Sequence, residues 1–443
     1  MLMDNKKVCV IGLWHLGLVS AAGLADMGYR VSALDSRPGI INEIQQGRLP
    51  IFEPGLDDLV EKQRHAGNLF FEADPAVALA GAEIVLIAYD TPVDDNDQVD
   101  LTIVEKTISA AAPYLAAHAL VIINSQIPVG TTEKWQTVIE NKRPGAEIDL
   151  VCSPENIRLG QALELFRKPD MIVIGSDSER ARDKAEKFFS AFACEKFHVS
   201  CRTAEMTKHA LNVFFATSIS FANELGNLCD AVGADGMQIA KILKQDSRIG
   251  KKAQVRPGLG FAGATLARDL RALQSLGKKT GVPTPLAETV LEINHRQTDR
   301  VAHMVENYFE GNLRDKNLAV YGLTYKPGTS TLRRSAAIEI IRELHKRGAK
   351  ITAHDPKADL SEYDGDRIFE FCRDPYRAAE NSSAILLMTE WPEYREIDFE
   401  RIKKTMAHPM ILDAKNFLDG DKLRAAGYTY LEIGRGQLAR AKS

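Results

Sequence analysis

The segment VCVIGLWHLG, residues 8–17, joins an apolar run to a glycine-rich turn. In a dinucleotide-binding fingerprint, Gly12 would supply the tight turn and Gly17 the close packing of helix on strand. The helix that follows offers unpaired N–H groups and a positive dipole end to a diphosphate. Trp14 stands where a second glycine usually lets the backbone approach the ligand, and GxWxxG alone also fits a βαβ unit with a bulky turn residue. We expect a cofactor site in which Trp14 lies beside the diphosphate without filling its place.

A carboxylate follows at the position that selects the cofactor. Asp35 ends the next predicted strand, YRVSALD. An acid there accepts a hydrogen bond from a ribose 2′-OH and repels a 2′-phosphate, which favours NAD over NADP. Arg37 lies close by in the sequence and weakens this preference, because an arginine can accommodate a 2′-phosphate.

The elements that position these residues alternate between strand and helix. Six runs before residue 200 are apolar on both faces, as strands of a buried parallel sheet should be: VCVIG, YRVSALD, EIVLIAY, ALVIINS, IDLVCSP and DMIVIG. The alternation restarts near residue 315 with NLAVYG, AKITAHD, SAILLMT and PMILDA. This order predicts an α/β protein with two Rossmann-like, doubly wound domains.

A long helix is predicted between the two α/β parts. Residues 203–233 have apolar side chains at helical spacing and no proline. The helix would join the two parts and could form a dimer surface. We therefore expect an NAD-binding domain over residues 1–202, a central helical and dimerisation domain over 203–310, and a C-terminal domain over 311–443.

Composition and charge exclude several kinds of partner. The 443 residues include 56 basic and 60 acidic side chains, for a net charge of −4, so neither nucleic acid nor an anionic membrane is indicated. No apolar run approaches the roughly 18 residues of a membrane span. The start MLMDNKKVCVIG has no signal-peptide pattern, so a cytoplasmic location is expected. The six cysteines lie far apart and predict reduced thiols, with no disulfide and no metal site.

Many further motifs occur in one consistent order along the chain. They are IFEPGLDDL (51–59), TPVDDNDQVDL (91–101), PVGTTEK (128–134), PENIRLGQA (154–162), KPDMIVIG (168–175), AEMTKHALNVFFATSISFANE (204–224), DSRIG (246–250), PGLGFAG (257–263), GLTYKPGTSTLRRSA (322–336), TEWPEY (389–394) and DAKNF (413–417). With them, residues 6–436 resemble the UDP-glucose/GDP-mannose dehydrogenase family. The resemblance implies an NAD domain, a central helix at a dimer interface and a C-terminal domain for the nucleotide of a UDP- or GDP-sugar.

The resemblance also implies a reaction and the residues that carry it. The family usually oxidises a sugar CH2OH to a carboxylate with two NAD, through an aldehyde, a cysteine thiohemiacetal and a thioester. For the first oxidation it uses a lysine, an asparagine and an aspartate with a bound water, which match Lys208, Asn212 and Asp269. Arg268 stands where the family commonly has lysine, and Glu155 matches a glutamate near the reacting carbon. Lys208 in isolation would also fit a surface helix, and the matched AExxKxxxN segment argues against that reading.

Two groups of binding residues follow from the matched motifs. The implied substrate-binding residues, whose glycines leave room for a ligand and whose cations neutralise a diphosphate, are Arg248, Gly258, Gly260, Gly263, Lys326 and Arg333. The expected cofactor-binding residues are Gly12, Trp14, Gly17, Asp35, Arg37, Thr91, Pro92, Ser125 and Gln126.

Three departures from the family pattern concern the second oxidation. Where the family has a nucleophilic cysteine, in a pattern like GFGGSCFPKD, this chain reads GFAGATLARD and has Thr265. A threonine hydroxyl is far less acidic than a thiol, and no activating base is marked beside it. Gln126 replaces a threonine associated with the hydrolytic water, and Leu159 replaces the second glutamate of PEFLxEG.

These losses predict an NAD-dependent two-electron oxidation of a nucleotide sugar that ends at an aldehyde or ketone. The family's four-electron reaction to a uronic acid, through a hydrated aldehyde, is the first alternative. A nucleotide-sugar-binding protein without turnover is the second. The nucleotide, the sugar and the oxidised carbon stay open.

Overall fold

A computed structural model describes residues 6–91, 100–363, 365–366 and 368–436. The chain divides into two compact units, residues 1–210 and 211–443. The predicted division into three domains stays a prediction.

The first unit is built on an eight-stranded sheet. Its strands are β1 (Lys7–Ile11), β2 (Arg30–Leu34), β3 (Leu69–Glu72), β4 (Ile84–Ile87), β5 (Leu120–Ile123), β6 (Asp149–Cys152), β7 (Met171–Gly175) and β8 (Glu195–Val199). The order is β3-β2-β1-β4-β5-β6-β7-β8, and its first six strands follow the doubly wound order of a Rossmann fold. The pairs are parallel, except that β6 and β7 meet in an antiparallel bridge between Cys152 and Gly175.

Helices cover both faces of this sheet, as continuous apolar strands require. They are α1 (Leu16–Asp26), α2 (Ile40–Gln45), α3 (Leu56–His65), α4 (Pro75–Leu79), α5 (Thr102–Ala111), α6 (Thr131–Lys142), α7 (Ala162–Arg167) and α8 (Glu179–Phe189), with a 3-10 turn at Ala112–Tyr114. All residues of β4 and β5 are buried because these strands lie inside the sheet. The edge strand β8 is largely exposed.

The predicted central helix is confirmed as α9 (Cys201–Val232), and the boundary between the units falls within it, after Ala210. The second unit continues with α10 (Gly236–Leu243), α11 (Ala264–Thr280) and α12 (Pro285–Tyr308). None of the helices in the described part of the chain is both long and apolar enough to span a bilayer.

A second Rossmann-like sheet of six strands completes the second unit. Its strands are β9 (Asn317–Tyr321), β10 (Lys350–His354), β11 (Glu370–Phe371), β12 (Ala384–Leu387), β13 (Met410–Asp413) and β14 (Thr429–Glu432). They are parallel in the order β11-β10-β9-β12-β13-β14. Its helices are α13 (Ala336–Lys346), α14 (Pro375–Ala378), α15 (Phe399–Lys403) and α16 (Gly420–Ala425), with 3-10 turns at Leu360–Glu362 and Pro392–Arg395.

The two sheets repeat one local geometry at the end of their first strands. Gly12 and Gly322 have φ of 97° and 94°, a left-handed conformation that favours glycine. The N–H of the following residue then donates to the aspartate that ends the neighbouring strand: Leu13 to Asp35 Oδ2 at 2.6 Å, and Leu323 to Asp355 Oδ2 at 2.7 Å. The same turn chemistry therefore closes both βαβ units.

Candidate active site

The turn between β1 and α1 has no room for side chains at its first and third glycines. A Cβ on Gly12 would lie 2.9 Å from Cγ of Tyr89, and one on Gly17 would lie 1.6 Å from the carbonyl oxygen of Gly12. The backbone there is therefore bare, and the N-terminal end of α1 points into the turn. This cradle fits a diphosphate, because glycines allow a close backbone approach and the helix end supplies N–H groups.

Trp14 occupies the place of the second glycine without left-handed backbone strain. Trp14 is half-buried, and it is not one of the described residues with a positive φ. Its ring meets the ring of His15 edge to face, with centroids 6.3 Å apart. The turn thus accommodates a side chain at this position, and the placement of Trp14 beside the diphosphate stays a prediction.

Asp35 is buried and accepts hydrogen bonds on both carboxylate oxygens. Its donors are the backbone N–H of Leu13, and the backbone N–H, Nε and Nη2 of Arg37, at 2.6 to 3.0 Å. Burial alone would lower the pKa of Arg37, but its hydrogen bonds to Asp35 raise it above the ordinary arginine value. The acid predicted to select the cofactor is therefore paired with a forked arginine.

The remaining predicted cofactor residues lie beyond the carboxyl ends of β4 and β5, the edge where open α/β sheets bind ligands. Thr91 donates through Oγ1 to the carbonyl of Gln126 at 3.1 Å, and Ser125 donates through Oγ to the carbonyl of Ile87 at 3.3 Å. Gln126 Nε2 contacts Nδ1 of His209 at 3.5 Å. Pro92 lies outside the described residues.

Lys208 is held by oxygens of the PEN segment. Its Nζ donates to the carbonyl of Glu155 at 2.6 Å and to Oδ1 of Asn156 at 2.8 Å. Desolvation raises the pKa of the Glu155 carboxyl above its usual value, although the N–H of Asn156 and the charge of Lys208 act in the opposite direction. The structure therefore brings together two predicted catalytic residues, Lys208 and Glu155.

Glu53, in the IFEPGLDDL motif, was not among the predicted site residues. Its buried carboxylate accepts from the backbone N–H groups of Gly160 and Ala162 at 2.7 and 2.8 Å, and it pairs with Nε2 of His15 at 3.2 Å. It thereby ties the cofactor turn to the loop that contains Leu159. A lone glutamate among apolar residues, IFEPG, is the sequence signal that could have indicated a buried role.

In the second unit, Asn212 and Asp269 form the other predicted catalytic pair. Nδ2 of Asn212 donates to Oδ2 of Asp269 at 2.5 Å, and Asp269 is completely buried. The Nε atom of Arg268 lies 4.0 Å from the other carboxylate oxygen. A buried carboxylate with an adjacent cation is suited to hold a polar group in place.

Thr265 is exposed in the first turn of α11. The helix follows the glycine loop PGLGFAG, whose backbone is fixed by Asn223 and Asn294: Gly258 N–H donates to Asn223 Oδ1 at 2.9 Å, and Phe261 N–H to Asn294 Oδ1 at 2.6 Å. A Cβ on Gly260 would lie 2.5 Å from Oδ1 of Asn294.

The glycine loop is also joined to the segment that carries Arg333. Gly263, with φ of 78°, donates its N–H to the carbonyl of Arg334 at 3.0 Å. Arg334 itself has a positive φ of 51°, a conformation that is uncommon outside glycine and often found near ligand sites. The predicted substrate glycines and Arg333 thus belong to one connected backbone region.

The predicted substrate cations are on or near the surface. Arg248 is exposed and pairs with Asp246 at 2.7 Å, Arg333 is exposed, and half-buried Lys326 lies 5.5 Å from the ring centroid of Tyr325. Arg248 shares no described contact with the other two. The substrate-binding assignment of all these residues stays a prediction.

All six cysteines are free thiols, and none lies on α11 or in the glycine loop before it. Burial raises the pKa of Cys9 to about 12, so this thiol is not a nucleophile near neutral pH. No cluster of three or more metal-ligating side chains occurs within the described ranges.

A Rossmann sheet with a glycine turn and an acid directly after β2, followed by a buried Asn–Asp pair and a second Rossmann-like sheet, is typical of a dinucleotide-dependent oxidoreductase. Family models confirm this class. Residues 6–193 match the NAD binding domain of the UDP-glucose/GDP-mannose dehydrogenase family, residues 202–296 its central domain and residues 319–420 its UDP binding domain.

Curated and solved relatives agree with the family models. The chain is 35% identical over 435 residues to the UDP-glucose 6-dehydrogenase of Rhizobium meliloti, covering 97% of this chain and 99% of the relative. A UDP-glucose dehydrogenase of Pyrobaculum islandicum superposes with a TM-score of 0.88 at 30% identity, over 98% of both chains. A UDP-D-ManNAc dehydrogenase of Pyrococcus horikoshii gives 0.85 at 28% identity, over 97% of this chain and 100% of that one.

The chain belongs to the UDP-glucose/GDP-mannose dehydrogenase family, as its motifs indicated. It is an NAD-dependent dehydrogenase that acts on a nucleotide sugar.

Proposed function

We propose that this dehydrogenase removes a single hydride from an alcohol of its nucleotide sugar and releases a carbonyl product. The observation that carries the proposal is Thr265, in the exposed first turn of α11 where the family's nucleophilic cysteine is expected. A hydroxyl with no activating base does not add efficiently to an aldehyde. Without that bond no thioester forms, so the second oxidation loses its usual route.

The residues of the first oxidation are retained. NAD, when bound, accepts the hydride from the sugar carbon. In this proposal Lys208 and a water held by Asp269 share two roles, taking up the hydroxyl proton and stabilising the developing alkoxide. The Nζ of Lys208 is oriented by the carbonyl of Glu155 and by Asn156, and Asn212 fixes the Asp269 carboxylate.

The residues assigned to the hydrolytic step have changed as well. The Gln126 amide contacts His209 instead of presenting a hydroxyl, and Leu159 is apolar where a carboxylate is expected. Random loss would have removed residues of both steps. The selective change supports a reaction that ends after one hydride.

Product stoichiometry tests the proposal. Purified protein is incubated with NAD and, in turn, UDP-glucose, UDP-N-acetylmannosamine and GDP-mannose, and NADH is measured against product by mass spectrometry after hydroxylamine trapping. One NADH and one oxime per sugar consumed support the proposal. Two NADH and a uronate contradict it and establish the reaction named for the Rhizobium meliloti relative. NAD binding without NADH formation from any sugar also contradicts it and indicates a binding protein.

We also propose a homodimer formed through α9. Six large apolar side chains on this helix are exposed, and Phe214, Phe221 and Leu228 repeat every seven residues. The six are Leu211, Phe214, Phe215, Phe221, Leu228 and Val232. An apolar stripe at this spacing is suited to pack against a second helix.

A further inference from the structure

The carboxylate of Asp90 lies at the N-terminal end of α1, beside the glycine turn. The residue follows β4, and its Oδ2 accepts the N–H of Leu16, the first residue of α1, at 3.1 Å. In α1, which the structure describes completely, the first turn contains no acidic residue and His15 makes no side-chain cap. The negative charge at this helix end therefore comes from a residue 74 positions away in the sequence.

The same helix end is where the fingerprint predicts the diphosphate of the cofactor. The first N–H groups of a helix have no partner within it, and together with the helix dipole they bind phosphate oxygens. We infer that Asp90 competes with the diphosphate of the cofactor for the N–H of Leu16. Two anions repel each other at hydrogen-bond distance from one donor, so Asp90 has to leave when the diphosphate binds.

A second backbone N–H of the turn, that of Leu13, also donates to a carboxylate, that of Asp35. That carboxylate is neutralised by the forked Arg37. Asp90 is half-buried and accepts its hydrogen bond from the Leu16 N–H; its charge also helps to raise the pKa of Arg37, but the hydrogen bonds of Arg37 go to Asp35. Asp90 therefore acts as a built-in competitor that lowers the affinity for diphosphate-containing nucleotides.

The test is nucleotide binding by calorimetry, with no sugar nucleotide present. Asp90→Asn keeps an oxygen that can accept the Leu16 N–H but removes the charge, and Asp90→Ser is a smaller neutral variant. We expect both to bind NAD and ADP about tenfold more tightly than the unmodified protein. Adenosine, which lacks phosphate, should bind all three proteins within about twofold.

Asp26→Asn is the matched control, because Asp26 is the last residue of the same helix. At a rise of 1.5 Å per residue it lies about 15 Å from Leu16. It should leave all three affinities unchanged. Unchanged or weaker ADP binding in the folded Asp90 variants overturns the inference, as does an equal gain for adenosine. Since only binding is measured, neither result bears on how many hydrides the enzyme removes.

Discussion

The Nζ atom of Lys208 lies 2.8 Å from Oδ1 of Asn156, although the two residues are 52 positions apart in the chain. The backbone N–H of Asn156 also donates to Oε1 of Glu155 at 2.7 Å. One asparagine thus contacts both the proposed base and the carboxyl beside it. This makes Asn156 a positioning residue for Lys208.

Replacing Asn156 with alanine removes a hydrogen bond to a charged group. Such a bond contributes about 1.5–3 kcal/mol, so kcat should fall roughly tenfold to a hundredfold if the geometry of Lys208 depends on it. The KM for NAD should change little, because Asn156 is not part of the glycine turn. Initial rates of NADH formation give both constants.

Asn141→Ala, at the exposed end of α6, is the control and should leave kcat unchanged. Asn156→Asp keeps an oxygen acceptor and should recover part of the lost rate. A kcat within twofold of the original for Asn156→Ala would show that Lys208 is positioned without it.

Thr265→Cys restores the nucleophile without restoring the hydrolytic residues. The thiol would add to the aldehyde carbon to form a C–S bond while its proton goes to the carbonyl oxygen. Loss of a hydride to a second NAD and of the hydroxyl proton to water would then leave a thioester. Because Gln126 and Leu159 are unchanged, the adduct should be hydrolysed slowly. Intact-mass spectrometry should therefore detect a covalent sugar-nucleotide adduct on the variant.

Thr265→Ser is the control for this experiment, since a serine hydroxyl is no better activated. It should give no adduct. Absence of an adduct on a folded, NADH-producing Thr265→Cys variant would place residue 265 away from the aldehyde.

Gly17→Ala should weaken NAD binding more than about tenfold. Its Cβ would lie 1.6 Å from the carbonyl oxygen of Gly12, so the turn must distort at a cost of about 1–3 kcal/mol or more. Trp14→Gly should keep NAD affinity within about tenfold, roughly 1.4 kcal/mol, because the turn already accommodates the tryptophan. Calorimetry of both variants measures the loss of NAD affinity, and thermal unfolding measures the loss of stability. Equal losses of NAD affinity in the two variants would contradict this account.

We expect His354 to make the second unit less stable in acid. Desolvation lowers the pKa of its imidazole below 6.5, although Asp355 and Asp374 act in the opposite direction. The unfolded chain therefore takes up a proton that the folded chain refuses, and stability falls as the pH drops below about 6.5. The Tm of His354→Asn should decline less between pH 7 and pH 5 than that of the unmodified protein.

His65→Asn serves as the comparison, because His65 is exposed on α3. It should show the same decline of Tm with acid as the unmodified protein. A His354→Asn variant with that same decline would contradict a role for burial of the imidazole.

Phe214→Glu should dissociate the proposed homodimer. Phe214 is 76% exposed in the apolar stripe of α9, and a buried carboxylate at an interface is costly without a partner. Light scattering after size exclusion should report the mass of a monomer. Val282→Glu, at an equally apolar position that is 60% exposed but lies outside α9, should leave the dimer mass unchanged. A monomeric unmodified protein would refute the dimer itself.

Several parts of the fold follow from local pattern. The buried strands are continuous apolar runs, and the long helix between them has an uninterrupted helical period, so both are visible without tertiary context. The strands β3, β8, β11 and β14 were not predicted. They lie near or at sheet edges, and β8 (EKFHV) is largely polar because its surface meets water instead of a core.

The candidate site divides in the same way. The glycines Gly12 and Gly17 and the acid Asp35 were predictable, because a tight turn, a close helix contact and a ribose acceptor each require a particular residue type. The roles of Asn156, Glu53 and Asp90 could not be predicted, because each depends on a partner at least 38 residues away in the chain.

The sequence by itself therefore determined the two Rossmann-like domains, the central helix, the NAD fingerprint and the loss of the cysteine at position 265. These features rest on periodicity and residue type, which are properties of short segments. Only the tertiary structure showed that Asn156 holds Lys208, that Glu53 pairs with His15 and that Asp90 occupies the end of α1. Side-chain contacts of this kind are decided by packing, which brings distant segments within hydrogen-bond distance and which no local pattern records.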